Sequence, residues 1–164
     1  MAVLYDWFIA PSDEAAAATI DRVGGPGKAV SARRGLFGRE RTPELPAYPT
    51  VPTRIDPTTM GASLETLLTG RSFEAISEEP KWAKIVAVRN QGELLVLSVL
   101  DTLVAALADA SEARLIEVSV PWSQTEEFYG GADPVALAGA LKELAALSVQ
   151  ARNEAKPVYC WVSV

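Results

Sequence analysis

The sequence predicts an α/β (α+β) fold: a single domain, residues 1–164, with a mixed β-sheet of about five to six strands covered by helices. A long Pro/Arg-rich loop, residues 24–57, is set into it. Two observations carry the fold class. Short apolar runs of period 2 alternate along the chain with stripes of period 3.6, and Gly or Pro punctuates almost every change between them. The composition is also that of a globular chain, 49% hydrophobic and 22% charged, long enough for one core without staples.

The first strand is Val3 to Ala10. It places Val3, Tyr5, Trp7 and Ile9 on one face and Leu4, Asp6 and Phe8 on the other. Pro11 ends it. Ser12 or Asp13 caps a helix expected to run through the alanines to about Val23, where Gly24 and Gly25 stop it. From Gly24 to Pro57, prolines 26, 43, 46, 49, 52 and 57 exclude regular structure except a short strand near Val51 to Ile55. Met60, Leu64, Leu67 and Leu68 form a helical stripe that Gly70 closes, and a short helix covers Phe73 to Glu79. Ala83 to Val88 and Leu94 to Val99 read as a hairpin about Asn90-Gln91-Gly92. Being apolar on both faces, both strands are expected to be central.

Leu100, Leu103, Val104 and Leu107 mark another helix, and Arg114 to Val120 reads as a strand. Ser123-Gln124-Thr125-Glu126 has capping-box spacing and starts a helical turn. Asp133-Pro134 opens the longest helix, striped by Leu137, Leu141, Leu144 and Leu147. Pro157 to Val164 is the last strand. Tyr5-Asp6-Trp7 and Tyr159-Cys160-Trp161 both place aromatics at i and i+2, which suggests that the first and last strands pair and stack their rings.

The opening Tyr5-Asp6-Trp7-Phe8 and Ala10-Pro11-Ser12-Asp13-Glu14 resemble small uncharacterised bacterial proteins that begin in the same way. The helix Leu64-Glu65-Thr66-Leu67-Leu68-Thr69-Gly70 and the closing Tyr159-Cys160-Trp161 resemble them too. The resemblance implies no activity.

Composition excludes several chemistries. The chain has no histidine, which removes Ser-His-Asp triads, His-ligated zinc and imidazole proton transfer. One cysteine, Cys160, makes neither an internal disulfide nor a thiolate zinc site, and reads as a small buried hydrophobe. No metal and no cofactor are expected. The apolar region Leu94 to Ala108 is broken by Asp101 and too short to cross a bilayer. The N-terminus lacks the basic region of a signal peptide. The expectation is a bacterial cytoplasmic protein that does not engage membranes, the high Arg and Ala content suggesting a GC-rich genome.

Gly24-Gly25-Pro26-Gly27-Lys28 fails the phosphate-loop pattern, since Arg22 stands at its first position and Ala29 at its last, and it reads as a turn. The net charge of -6 is uneven: residues 1–54 carry net +1 and the remainder net -7. Arg22, Lys28, Arg33, Arg34, Arg39 and Arg41 form a basic concentration, with Leu36 and Phe37 as apolar anchor. It reads first as a solvated loop, then as an arm for an acidic protein partner. Nucleic acid comes last, because stacking aromatics are few.

Asp6, Glu117 and Glu126 are the carboxylates that acid–base catalysis would use. Each also has a structural reading, as a paired acid or a helix-turn acid. Trp122, Glu126 and Tyr129 form a polar–aromatic stretch that reads either as packing or as a ligand rim. The function expected is a non-catalytic protein-interaction module whose partner is an acidic protein or a second copy. The alternatives are a small-molecule binder using Trp7, Trp122 and Trp161, or a carboxylate-dependent enzyme.

Overall fold

A computed structural model describes residues 2–30 and 45–164. It is one α+β domain, built on a five-stranded sheet. The strands are β1 (Leu4–Ile9), β2 (Thr50–Thr53), β3 (Ile85–Arg89), β4 (Leu94–Ser98) and β5 (Val158–Ser163). Their order is β2-β1-β5-β4-β3, and every pairing is antiparallel. The helices are α1 (Asp13–Ala17), α2 (Thr59–Thr69), α3 (Phe73–Ser77), α4 (Asp101–Asp109), α5 (Glu112–Trp122) and α6 (Pro134–Glu154).

The alternation read in β1 becomes a division between two cores. Trp7 and Ile9 face a large core with Leu64 of α2, Leu103 and Leu107 of α4, Leu115 of α5 and Leu141 and Leu144 of α6. Trp7 also donates its indole N–H to Ile55 O at 2.9 Å. Phe8 faces a smaller core on the other side of the sheet, with Ala16, Ile20, Val96 and Tyr159. The sheet is thus coated by four long helices on one face and by α1 with its trailing turns on the other.

The first and last strands do pair, and β5 occupies the centre of the sheet. The register sets Trp7 opposite Cys160 and Phe8 opposite Tyr159. Odd positions of β1 therefore share a face with even positions of β5. Tyr5 and Trp7 lie on the opposite face from Tyr159 and Trp161, so the cross-strand ring contact is Phe8–Tyr159, centroids 5.8 Å apart. Tyr159 also donates to Asp13 Oδ1 at 2.7 Å, and Lys84 donates to the other oxygen at 2.8 Å. These bonds hold the Asp13 carboxyl below its ordinary pKa, Lys84 more strongly than Tyr159, and fasten α1 to the sheet.

Three elements differ from their sequence reading. The segment Arg114 to Val120 is not a strand but lies inside α5. Ile116, Val118 and Val120 alternate as a strand would, yet the buried residues are Leu115, Val118, Ser119 and Trp122, at i, i+3, i+4 and i+7. The Ser111 side chain starts the helix by accepting the Arg114 N–H. α1 stops at Ala17 rather than Val23. Thr19 turns its hydroxyl back onto Ala16 O at 2.7 Å, and the next amides bond three residues back, not four. β4 is central as expected, but β3 is an edge, with Ile85 and Val88 about half exposed and Lys84 and Arg89 at its ends.

Within the proline-rich stretch, β2 forms where the strand near Val51 was read, and Val30 and Leu45 exchange two backbone hydrogen bonds of 2.9 Å. Arg33, Arg34, Phe37, Arg39 and Arg41 lie outside the described residues.

Candidate functional site

The carboxylates singled out in the sequence are not brought together. Asp6 lies on the α1 side of the sheet, opposite Trp161 and Pro52 in register. Glu117 falls in the segment expected to be a strand, and would share a cleft with Asp6 only if the two strands were neighbours. It stands instead on α5, in the helical layer on the other side, exposed and paired with Arg114 at 3.2 Å. Glu126 is exposed in a 3-10 turn, Glu126–Phe128. A shared acid–base cleft of Asp6 and Glu117 is excluded by this placement.

The stretch from Trp122 to Tyr129 splits into packing and surface. Trp122 is fully buried, so it is no ligand rim. Its ring meets Phe128 edge-on at 5.1 Å and its N–H donates to Met60 O at 3.2 Å. Tyr129 is 97% exposed at the end of the turn, in a left-handed conformation. Glu127, not Glu126, is the acid that docks: Ser63 Oγ donates to its Oε1 at 2.5 Å. Burial pulls the Glu127 pKa upward, but bonds from Ser63, Thr125 and its own N–H outweigh this and hold it below the ordinary range. A carboxyl held ionised in this way is a poor general base for Ser63. Sequence spacing favoured Glu126 because it completes a capping box. The box does not form, since Ser123 ends α5 rather than starting a helix.

Asp6 is half-buried, and burial alone pushes its carboxyl above its ordinary value of 3.8. Gly25 (φ +77°) crosses directly over it. A Cβ at Gly25 would come within 3.0 Å of Asp6 Oδ2 and 3.6 Å of the Trp161 ring. The glycine run read as a turn is therefore also a close backbone approach to the sheet. The sign of the Asp6 effect follows from linkage. The folded chain holds this proton more tightly than the unfolded chain. Stability is therefore lost as pH rises from the ordinary value through the raised one, and the cost is complete above it. Asp6→Asn is expected to be more stable than the parent at neutral pH, with the difference shrinking at acid pH. Urea titrations across that range check this, and a less stable variant at neutral pH would show that the carboxylate has a partner.

A further exposed apolar surface lies on the outer side of α5 and α6. Ile116 and Val120, at i and i+4 of α5, are half exposed, and Val135 at the start of α6 is 78% exposed. Between the helices runs a groove of about 430 Å³, lined by Ile116, Ser119, Val120, Val135, Gly139 and Lys142 among others. The Ser119 hydroxyl bonds inward to Ile116 O at 2.7 Å. A Cβ on Gly139 would meet nothing within 4 Å, so the groove floor is open there. Its charged residue, Lys142, is already paired with Glu112 at 2.7 Å. The Lys142 bond holds the Glu112 carboxyl below its ordinary pKa. The strand reading of residues 114–120 hid this surface, because only a helix brings Ile116 and Val120 to one side.

Among the described residues, no group of three or more acids and cysteines is placed to hold a metal, and no helix is long and apolar enough to cross a membrane. The chain matches no family model, no curated protein and no solved structure, so the functional reading rests on the fold and this geometry.

Proposed function

We propose that the protein is a non-catalytic protein-interaction module, and that its α5–α6 face takes a second copy of the same chain. The observation that carries this is the groove between the two helices with Ile116, Val120 and Val135 standing out of the surface beside it. Isolated exposed apolar residues are ordinary, but a contiguous set around a groove on packed helices supports a docking face.

The choice of occupant rests on charge and shape. The groove's lysine, Lys142, is already paired with Glu112, so among the described residues that line the groove an acidic partner finds no free cation. A copy of the same face carries the same balanced acids and bases, and a two-fold axis lets each meet its opposite across the interface. The projecting Ile116, Val120 and Val135 of one copy match the recess over Ser119, Ala138 and Gly139 of the other. The same reading places the module in a bacterial cytoplasm, supported by its single buried cysteine.

Sedimentation equilibrium tests the proposal. The parent is expected to dimerise, and Val120→Asp and Val135→Asp are each expected to weaken the dimer at least about tenfold while leaving the circular dichroism spectrum unchanged. A parent that stays monomeric at high concentration, or variants that dimerise as well as the parent, would overturn it.

A further inference from the structure

On the other side of the sheet, Arg22 is only 5% exposed, yet none of its bonds among the described residues reaches a carboxylate. One terminal nitrogen, Nη1, donates to three backbone carbonyls: Pro26 O at 3.4 Å, Lys28 O at 3.2 Å and Pro46 O at 2.6 Å. The Tyr48 ring lies 4.9 Å from the guanidinium carbon, and Tyr48 stacks in turn on Phe8. These contacts fix the plane and rotation of the group. Nε and Nη2 are buried and, among the described residues, have no hydrogen-bond partner.

The position of the unused nitrogens is informative. Nε–H and the Nη2–H beside it point the same way, and form the side-on fork that matches the two oxygens of a carboxylate or phosphate. The backbone carbonyls have taken the other end of the group and left this edge whole. A buried guanidinium without an anion is costly, because its charge has lost water and gained only neutral dipoles. On the same side of the sheet the Trp161 indole N–H also has no acceptor, while the Asp6 carboxyl is pushed toward its neutral form by burial.

We propose that the Nε–Nη2 edge of Arg22 is the receptor for one oxyanion, a carboxylate or a phosphate group. Entry requires the segments around Pro26 and Pro46 to part, since both sides are pinned to the same Nη1 and Tyr48 N–H closes on Pro26 O at 3.0 Å. The site is independent of the α5–α6 face, which lies on the opposite layer.

The test uses the parent protein labelled with nitrogen-15 and follows the Arg22 Nε–H signal. Inorganic phosphate and acetate are titrated separately, each against chloride at equal ionic strength. A saturable shift with phosphate alone assigns a phosphate site, with acetate alone a carboxylate site, and with both a general oxyanion site. The bound anion is also expected to raise the melting temperature by about 5–10 °C at a hundredfold excess over its Kd, and Arg22→Lys is expected to lose that rise. No saturable shift of the Arg22 signal with either anion, or the same shift with chloride, would overturn the proposal even if the variant fails to fold.

Discussion

Trp122→Ala is expected to cost about 3–5 kcal/mol of stability, a drop of roughly 10 °C in melting temperature, whereas Tyr129→Ala is expected to be close to neutral. The two residues belong to one aromatic stretch but to different environments. Trp122 is fully buried, closes edge-on against Phe128 and donates to Met60 O, so its removal opens a cavity between α2 and α5 and leaves a carbonyl without its donor. Tyr129 is 97% exposed. Thermal and urea unfolding of the two variants measures the contrast directly. Equal losses would mean that Tyr129 is held by contacts its exposure does not suggest, and a mild Trp122 variant would contradict the packing described for α5.

The second large effect separates a helix from a strand. Val118→Asp is expected to cost roughly 3–5 kcal/mol, because it drives a carboxylate into the core where no partner awaits it. Ile116→Asp, only two residues away, is expected to cost less than about 1 kcal/mol, since that side chain is half exposed on the outer side of α5. In a strand, residues 116 and 118 share one face and the two substitutions would act alike. In α5 they point apart. Urea unfolding of the pair decides, and similar losses would contradict the helix.

That contrast shows where sequence reading succeeds and where it stops. β1 was legible because its two faces go to two different cores, so the alternation of Trp7 and Ile9 with Phe8 has a physical counterpart. α2 and α6 were legible because a leucine stripe together with a glycine stop or a Pro-first start identifies a helix at both levels, and α4 was legible from its stripe alone. α5 was not, because Ile116, Val118 and Val120 are β-branched, and three such residues at even spacing imitate a strand. Tertiary packing overrode that preference through Leu115, Val118 and Trp122. The position of β3 was equally hidden. An apolar strand at an edge and one at the centre have the same local pattern, and only the pairing of β4 with β5 tells them apart.

The candidate sites were legible to different degrees. Asp6 stood out as an acid among apolar neighbours, and it is indeed desolvated. Glu117 and Glu126 stood out by spacing, yet spacing along the chain could not report that the first lies across the sheet from Asp6 and the second in solvent. In the sequence Arg22 stands out only as one of a run of basic residues and as the wrong residue in a failed phosphate-loop pattern. What marks it is burial combined with three carbonyls brought from residues 26, 28 and 46, a convergence no local pattern encodes.

The central place of β5 has a consequence for how the molecule is made. Val158–Ser163 follows every other strand of the sheet along the chain, and it is the strand that joins the β2-β1 half of the sheet to the β4-β3 half. Without it, the β1–β2 and β3–β4 pairs share no hydrogen-bonded edge. Its pairing with β1 joins residues about 150 positions apart, the kind of high-contact-order closure that makes folding slow. The two halves of the sheet therefore join through this long-range step, and removing Val158–Ser163 should leave two unjoined half-sheets with exposed edges rather than a smaller version of the same protein.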